Sequence, residues 1–259
     1  VRPTKALGQH FLADPNLARA IVADAGVRDG DRVVEVGAGL GSLTVALAAA
    51  GARVVAVEFD RTLLPALEEV VAPWPGVQVR AADAMRLDWA SALPGHGWKM
   101  VSNLPYNVAV PLVAGMLEEV PQIRTFLVMV QREVGERLVA SPGDPAYGAV
   151  SVRVAYRAEG ALVRRVPASV FWPRPSVDSV LVRLERRAEP PVVTDPVRLF
   201  RVVDEGFAER RKTMRNALRR LGLSAPAAIA ALERCGLDPN VRAERLSIED
   251  FARLAEAAA

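Results

Sequence analysis

The sequence predicts an α/β protein: a mostly parallel, doubly wound sheet with an antiparallel edge, followed by a smaller all-helical C-terminal domain. Three observations predict it. The first half alternates short β-branched runs with helical segments, the pattern of successive βαβ units. Two later strand-like runs flank a proline-rich segment, and beyond Arg186 the pattern is helical throughout.

Taken in order, strands are expected at residues 32–36, 53–57, 77–81, 99–102 and 125–130. Helices are expected at 42–50, 61–71 and 110–119, with a weak turn at 91–93 and a further helix at 147–156. Residues 161–166 and 179–184 are again strand-like and are joined through Val170-Phe171-Trp172-Pro173-Arg174-Pro175. Proline removes ladder donors, so this pair suits an antiparallel edge. Glu189-Pro190-Pro191 reads as a linker, and Asp195-Pro196 opens a helix with a capping carboxylate and a proline at its first position. Ser247-x-x-Asp250 has capping-box spacing, and Gly222, Gly236 and Pro239 mark turns. A boundary is therefore expected near 187, dividing the chain into domains 1–186 and 187–259.

Composition excludes several classes. At 259 residues, 51% hydrophobic and 24% charged, the chain is globular rather than intrinsically disordered. Arg53 interrupts the apolar run 45–57, and no run approaches the roughly 20 residues of a membrane span. Val1-Arg2-Pro3-Thr4-Lys5 lacks the order of a secretory signal, so a cytoplasmic location is expected. The single cysteine, Cys235, reads as a small core residue, and His10 and His96 cannot build a zinc site. No metal is expected. A net charge of +3 does not itself demand an anionic partner, but its distribution is uneven: Arg210, Arg211, Lys212, Arg215, Arg219 and Arg220 form the densest basic run.

Val33-Val34-Glu35-Val36-Gly37-Ala38-Gly39-Leu40-Gly41 places three alternate glycines where a strand gives way to a helix, so the backbone can approach a ligand. A tight turn without ligand and a nicotinamide-binding loop are the alternatives, although the spacing departs from the dinucleotide pattern. Glu58, at the end of the next strand, can accept from both hydroxyls of an adenosine ribose in either cofactor. Asp83 offers a second carboxylate after the third strand. That is where the cofactor adenine would lie in a methyltransferase, or the residue is simply a helix cap.

The fourth strand leads into Asn103-Leu104-Pro105-Tyr106. Adenine's exocyclic nitrogen is a poor nucleophile because its lone pair is delocalised into the ring. The Asn103 side-chain oxygen and the Leu104 carbonyl can accept its two protons, Pro105 stiffens the turn, and Tyr106 offers a face for the base. In isolation these four residues could be an ordinary turn; after a fourth parallel strand, downstream of Glu58 and Asp83, they read as a catalytic tetrad.

Together with Leu7-Gly8-Gln9-His10-Phe11-Leu12, Phe171-x-Pro173-x-Pro175-x-Val177-Asp178-Ser179 and Arg210-Arg211-Lys212-Thr213-Met214-Arg215-Asn216, these motifs resemble the ribosomal RNA adenine dimethyltransferase family over nearly the whole chain. The resemblance implies a class I (Rossmann-like) methyltransferase fold and S-adenosylmethionine as cofactor. It implies that Gln9, His10 and Leu12 line the cofactor's methionine end and ribose, that Gly37 approaches the methionine, that Glu58 holds the ribose and Asp83 the adenine, and that Asn103 touches cofactor and target base. Position 10 is often asparagine in the family, so His10 departs from it and could act through backbone atoms or be a loop histidine. Phe171 would stack on the second face of the flipped adenine; without the resemblance it reads equally as core. Arg211, Arg215 and Arg219 recur every four residues, a stripe suited to RNA phosphates or a solvated helix face, which Arg210, Lys212 and Arg220 would widen.

Within the family, the small-subunit enzymes dimethylate two adjacent adenosines in a hairpin near the 3′ end of 16S rRNA, and the macrolide-resistance enzymes modify large-subunit rRNA. The RRKTMRN stretch and the helical C-terminal domain favour the former, acting as a monomer on an immature small subunit. A non-catalytic RNA-binding assembly factor and a nicotinamide oxidoreductase are the other classes. Intact Asn103, Pro105 and Tyr106 argue against both.

Overall fold

The structure, a computed structural model, describes residues 8–209 and 211–258. The chain divides into two compact units, Val1–Gly135 with Glu159–Arg186, and Glu136–Ala158 with Arg187–Ala259.

The first unit carries β1 (Phe11–Leu12), α1 (Pro15–Asp24), β2 (Arg32–Val36), α2 (Ser42–Ala49), β3 (Arg53–Glu58), α3 (Leu64–Val71), β4 (Val77–Ala81), α4 (Trp89–Ala92), β5 (Trp98–Asn103), α5 (Ala109–Glu119) and β6 (Ile123–Gln131). Helix α6 (Arg132–Val139) leads out of it, and β7 (Ala158–Val166), β8 (Phe171–Trp172) and β9 (Ser179–Arg186) complete it. Seven strands form one sheet in the order β4-β3-β2-β5-β6-β9-β7. Strands β2 to β6 pair in parallel, and β9 runs antiparallel to β6. The chain steps outward from β2 to β3 and β4, then returns to lay β5 on the other side of β2. That reversal leaves a crevice at the carboxyl ends of β2 and β5, where open α/β sheets bind ligands.

Both faces of the central strands are apolar, as expected for a sheet covered on two sides. Val33, Val34, Ala56 and Met100 are fully buried, and Ile21, Leu47 and Leu67 of the helices share one buried cluster with Val33 and Ala56. Helix α1 begins where Asp14 accepts from the amides of Asn16 and Leu17 and Pro15 takes the first helical position. A second, two-stranded sheet joins β1 to β8, pairing Phe11 with Trp172 and Leu12 with Phe171.

The second unit is helical: α7 (Ala149–Arg157), α8 (Pro196–Ala208), α9 (Met214–Arg220), α10 (Ala225–Arg234) and α11 (Ile248–Ala257). Asp195 caps α8 through Val197, and Ser247 and Asp250 form the capping box of α11. Residues 136–158, expected in the first domain, belong here. Val152 and Tyr156 share one buried cluster with Leu199, Phe200 and Phe251, and the Tyr147 hydroxyl donates to the Leu246 carbonyl at 2.9 Å. The sequence showed a helix there but not which core its apolar face would meet. No helix of the described residues is long and apolar enough to cross a membrane.

Candidate active site

A cavity of about 280 Å³ opens in the crevice, lined by the loops after β2, β3, β4 and β5 and by residues 8–12. Its floor is the glycine loop. Gly37, Gly39 and Gly41 have φ of 77°, 58° and 83°, a left-handed region that favours glycine. Space adds a second constraint, since a Cβ on Gly37 would lie 3.3 Å from the Pro105 ring and one on Gly39 3.0 Å from the Phe11 ring. The Gly37 amide donates to the Val57 carbonyl and the Val36 amide to Ser102 Oγ, both at 2.9 Å, so β2, β3 and β5 end in register.

Glu58 is 6% exposed, and each of its oxygens accepts one amide, from Gly39 and from Asp60, both at 2.8 Å. Burial raises its pKa and these amides oppose the rise. Each oxygen keeps a lone pair for a ribose hydroxyl. Gln9 reaches this corner too, donating to Asp60 at 2.8 Å. Asp83 lines the cavity and also accepts the Met85 amide at 2.9 Å, so its capping and lining roles coexist. Leu12 contributes a buried apolar wall.

Sequence reasoning missed Phe59 and Met85, each directly after or near a carboxylate. Both line the cavity while 59% and 51% exposed, and two apolar walls in that position suit the faces of a purine. The signal was an apolar residue flanking each strand-end acid. Glu35 was also passed over. It is 1% exposed, accepts the Thr44 hydroxyl at 2.6 Å beneath the glycine loop, and burial, aided by the nearby Glu58 charge, pushes its pKa up to about 8.

The tetrad is held from three sides. The Leu104 amide donates to the Met129 carbonyl of β6 at 3.0 Å. The Asn103 amide group donates to the His10 carbonyl at 2.9 Å, which orients the carboxamide. No donor among the described residues is bonded to the Asn103 side-chain oxygen or the Leu104 carbonyl. Both residues line the cavity with Pro105 and Tyr106. The Tyr106 hydroxyl shares a 2.8 Å hydrogen bond with the buried Ser179, and burial raises its pKa. His10 braces the group: its Nδ1 donates to the Pro173 carbonyl at 2.7 Å, and its ring lies 5.1 Å from that of Tyr106.

Two expectations need correction. Phe171 does not line the cavity. It is 4% exposed and packs in the core with Leu12, Ala18 and Ile21, because alternation along β8 turns it inward and Trp172 outward. The basic run is not one helical stripe either. Thr213 has extended geometry and caps α9, so Arg215 and Arg219 lie on the helix while Arg211 and Lys212 precede it. Arg211, Lys212 and Arg219 are exposed and Arg215 is half-buried. Arg220 is engaged, with Nε 2.8 Å from Glu205 and Nη1 3.3 Å from Glu209. Arg210 and Leu7 lie outside the described residues. Among those residues no cluster suited to a metal ion is found.

Residues 2–259 match the family described as ribosomal RNA adenine dimethylase. The ribosomal RNA small subunit methyltransferase A of Thermobifida fusca is 49% identical, covering 99% of this chain and 90% of the relative, and that of Streptomyces griseus is 50% identical, covering 99% and 89%. A dimethyladenosine transferase from Plasmodium falciparum superposes with a TM-score of 0.79 at 24% identity, covering 95% of this chain and 96% of that one. The 23S rRNA methyltransferase ErmE superposes with a TM-score of 0.73 at 27% identity, covering 95% and 98%. The fold is thus that of a Rossmann-like class I methyltransferase, and the cofactor of such enzymes is S-adenosylmethionine. The chain belongs to the ribosomal RNA adenine dimethylase family and is an S-adenosylmethionine-dependent rRNA adenine dimethyltransferase.

Proposed function

We propose that the enzyme dimethylates two adjacent adenosines in a hairpin near the 3′ end of 16S rRNA, acting as a cytoplasmic monomer on an immature small subunit. One observation carries the chemistry: a carboxamide oxygen and a backbone carbonyl, neither bonded to a donor among the described residues, beside a tyrosine face and a cavity with a buried carboxylate. The cavity fits the cofactor, since Gly37 and Gly39 line it where a Cβ would crowd Pro105 and Phe11, and Glu58 keeps acceptor capacity. S-adenosylmethionine supplies an electrophilic methyl group on a sulfonium.

The chain's own residues do the rest. Glu58 and Asp83 hold the two ends of the adenosine, with Gln9, His10, Leu12 and Gly37 around the methionine side. Asn103 and Leu104 accept the amino protons of the target adenine, and these bonds strengthen as the nitrogen becomes tetrahedral and its protons more acidic. Tyr106 stacks on the extruded base. No general base is needed, because the methylated amine is a cation that sheds its proton readily. Residues 187–259 bind the RNA, with Arg211, Lys212, Arg215 and Arg219 meeting phosphates.

Relatives named for the small subunit at about 49% identity support the 16S substrate over a large-subunit one, for which ErmE at 27% is the nearer analogue. Labelled S-adenosylmethionine incubated in parallel with unmodified small and large subunits should label two adjacent adenosines of that hairpin in the small subunit. Label confined to large subunits, or none, overturns the reading.

A further inference from the structure

Single exposed apolar residues are ordinary on protein surfaces, so the 52% exposure of Trp172 carries nothing by itself. Its setting does. Strand pairing joins Trp172 to Phe11, and the two rings stack with centroids 6.3 Å and planes 26° apart. Phe11 lines the cavity and closes on Gly39. The carbonyl of the next residue, Pro173, accepts a hydrogen bond from His10 Nδ1, and His10 in turn lies against Tyr106. An indole with half its surface open is therefore stacked on a residue of the cavity wall, one position before a residue bonded to His10.

Extruding a base unstacks its neighbours in the RNA, and an aromatic plate beside the extrusion point restores that stacking. We propose that Trp172 is a substrate-positioning residue whose indole stacks on the nucleobase adjacent to the extruded adenine. This rests on the proposed RNA substrate and adds a contact distinct from the tetrad.

The test is steady-state methylation of unmodified small subunits by Trp172→Ala, Trp172→Leu and Trp172→Phe, with S-adenosylmethionine affinity measured by calorimetry. Alanine and leucine should raise KM for the subunits about ten-fold or more at unchanged cofactor affinity, and phenylalanine should stay within about three-fold of wild type, because stacking needs a π face. Leucine matching phenylalanine, a wild-type KM in Trp172→Ala, or cofactor affinity falling in step with KM through Phe11 each overturns the proposal. Wild-type transfer in the same assay separates the two readings. Its absence overturns the substrate reading and the stacking proposal with it, whereas wild-type transfer with an unchanged KM in Trp172→Ala overturns the stacking proposal alone.

Discussion

The cavity of the sheet unit and the basic segment of the helical unit hold their ionisable groups in opposite ways. In the cavity, Glu35 and Glu58 are almost fully buried and bonded to Thr44, Gly39 and Asp60. In the helical unit, Arg211, Lys212 and Arg219 are exposed, and among the described residues of the run Arg220 alone is tied to Glu205 and Glu209. Preorganised groups act strongly because they need no rearrangement during reaction, which justifies the desolvation they cost. Phosphate binding works through released counterions and tolerates mobile cations. The two regions therefore differ in what a substitution should damage: geometry and rate in one, salt-dependent affinity in the other.

The largest effect is expected at Asn103. Replacing it with Ala removes an acceptor whose bond strengthens in the transition state, a loss on the order of 2.7 to 4 kcal/mol, or roughly a hundred- to thousand-fold in rate. Single-turnover transfer with cofactor and RNA saturating isolates that step. A wild-type rate would remove Asn103 from the chemistry. Tyr106→Phe should keep most activity while losing the Ser179 hydrogen bond, at a cost of about 1 kcal/mol in stability.

Next comes cofactor affinity. Glu58→Ala should weaken S-adenosylmethionine binding by about 1.5 to 3 kcal/mol, the range for hydrogen bonds to a charged group. Calorimetric titration reads it directly, and unchanged affinity in a folded variant would place the ribose elsewhere. Glu58 also accepts the Gly39 amide, so the variant should lose loop order as well.

What the sequence made legible follows the same division. Glycines at 37, 39 and 41, Glu58, Asp83 and Asn103 occupy places dictated by strand ends, and β-branched runs locate strand ends well. The two-residue strands β1 and β8 have no period to detect, so the inward turn of Phe171 and the outward turn of Trp172 were not visible. A four-residue recurrence suggested one stripe for Arg211, Arg215 and Arg219, but recurrence does not reveal where Thr213 starts the helix. Nor does a run of arginines show that Glu205, fifteen positions away, engages Arg220.

The basic segment offers the contrasting test. Replacing Arg211, Arg215 and Arg219 with Gln should weaken RNA binding and flatten the slope of log affinity against log salt by roughly 2 to 3, one per phosphate contact. Cofactor affinity should hold. Arg220→Gln should leave the slope alone and lower stability by less than about 1 kcal/mol, as partly exposed ion pairs do. An equal slope change in Arg220→Gln would mean that its carboxylate partners release it to RNA.

A small effect probes the buried end of the comparison, through pH. With a pKa of about 8, Glu35 is protonated in the folded chain at neutral pH, whereas the unfolded chain ionises it near the ordinary 4.5. Unfolding between those values releases a proton, so stability is full below the unfolded pKa and falls as pH rises toward 8. Glu58, also raised by burial, adds a decline of the same sign. Between pH 7 and pH 8 the Glu35 share is about 1 kcal/mol, a melting shift of roughly 2 to 4 °C. Glu35→Gln cannot titrate and should melt with a flatter dependence on pH across that window. Any misfit of the added amide under the glycine loop lowers the melting temperature equally at each pH, so the slope reports the titration and the level reports the packing. Equal slopes in wild type and variant would mean that Glu35 keeps its charge in the fold, and the loop would then rest on an ionised carboxylate bonded to Thr44.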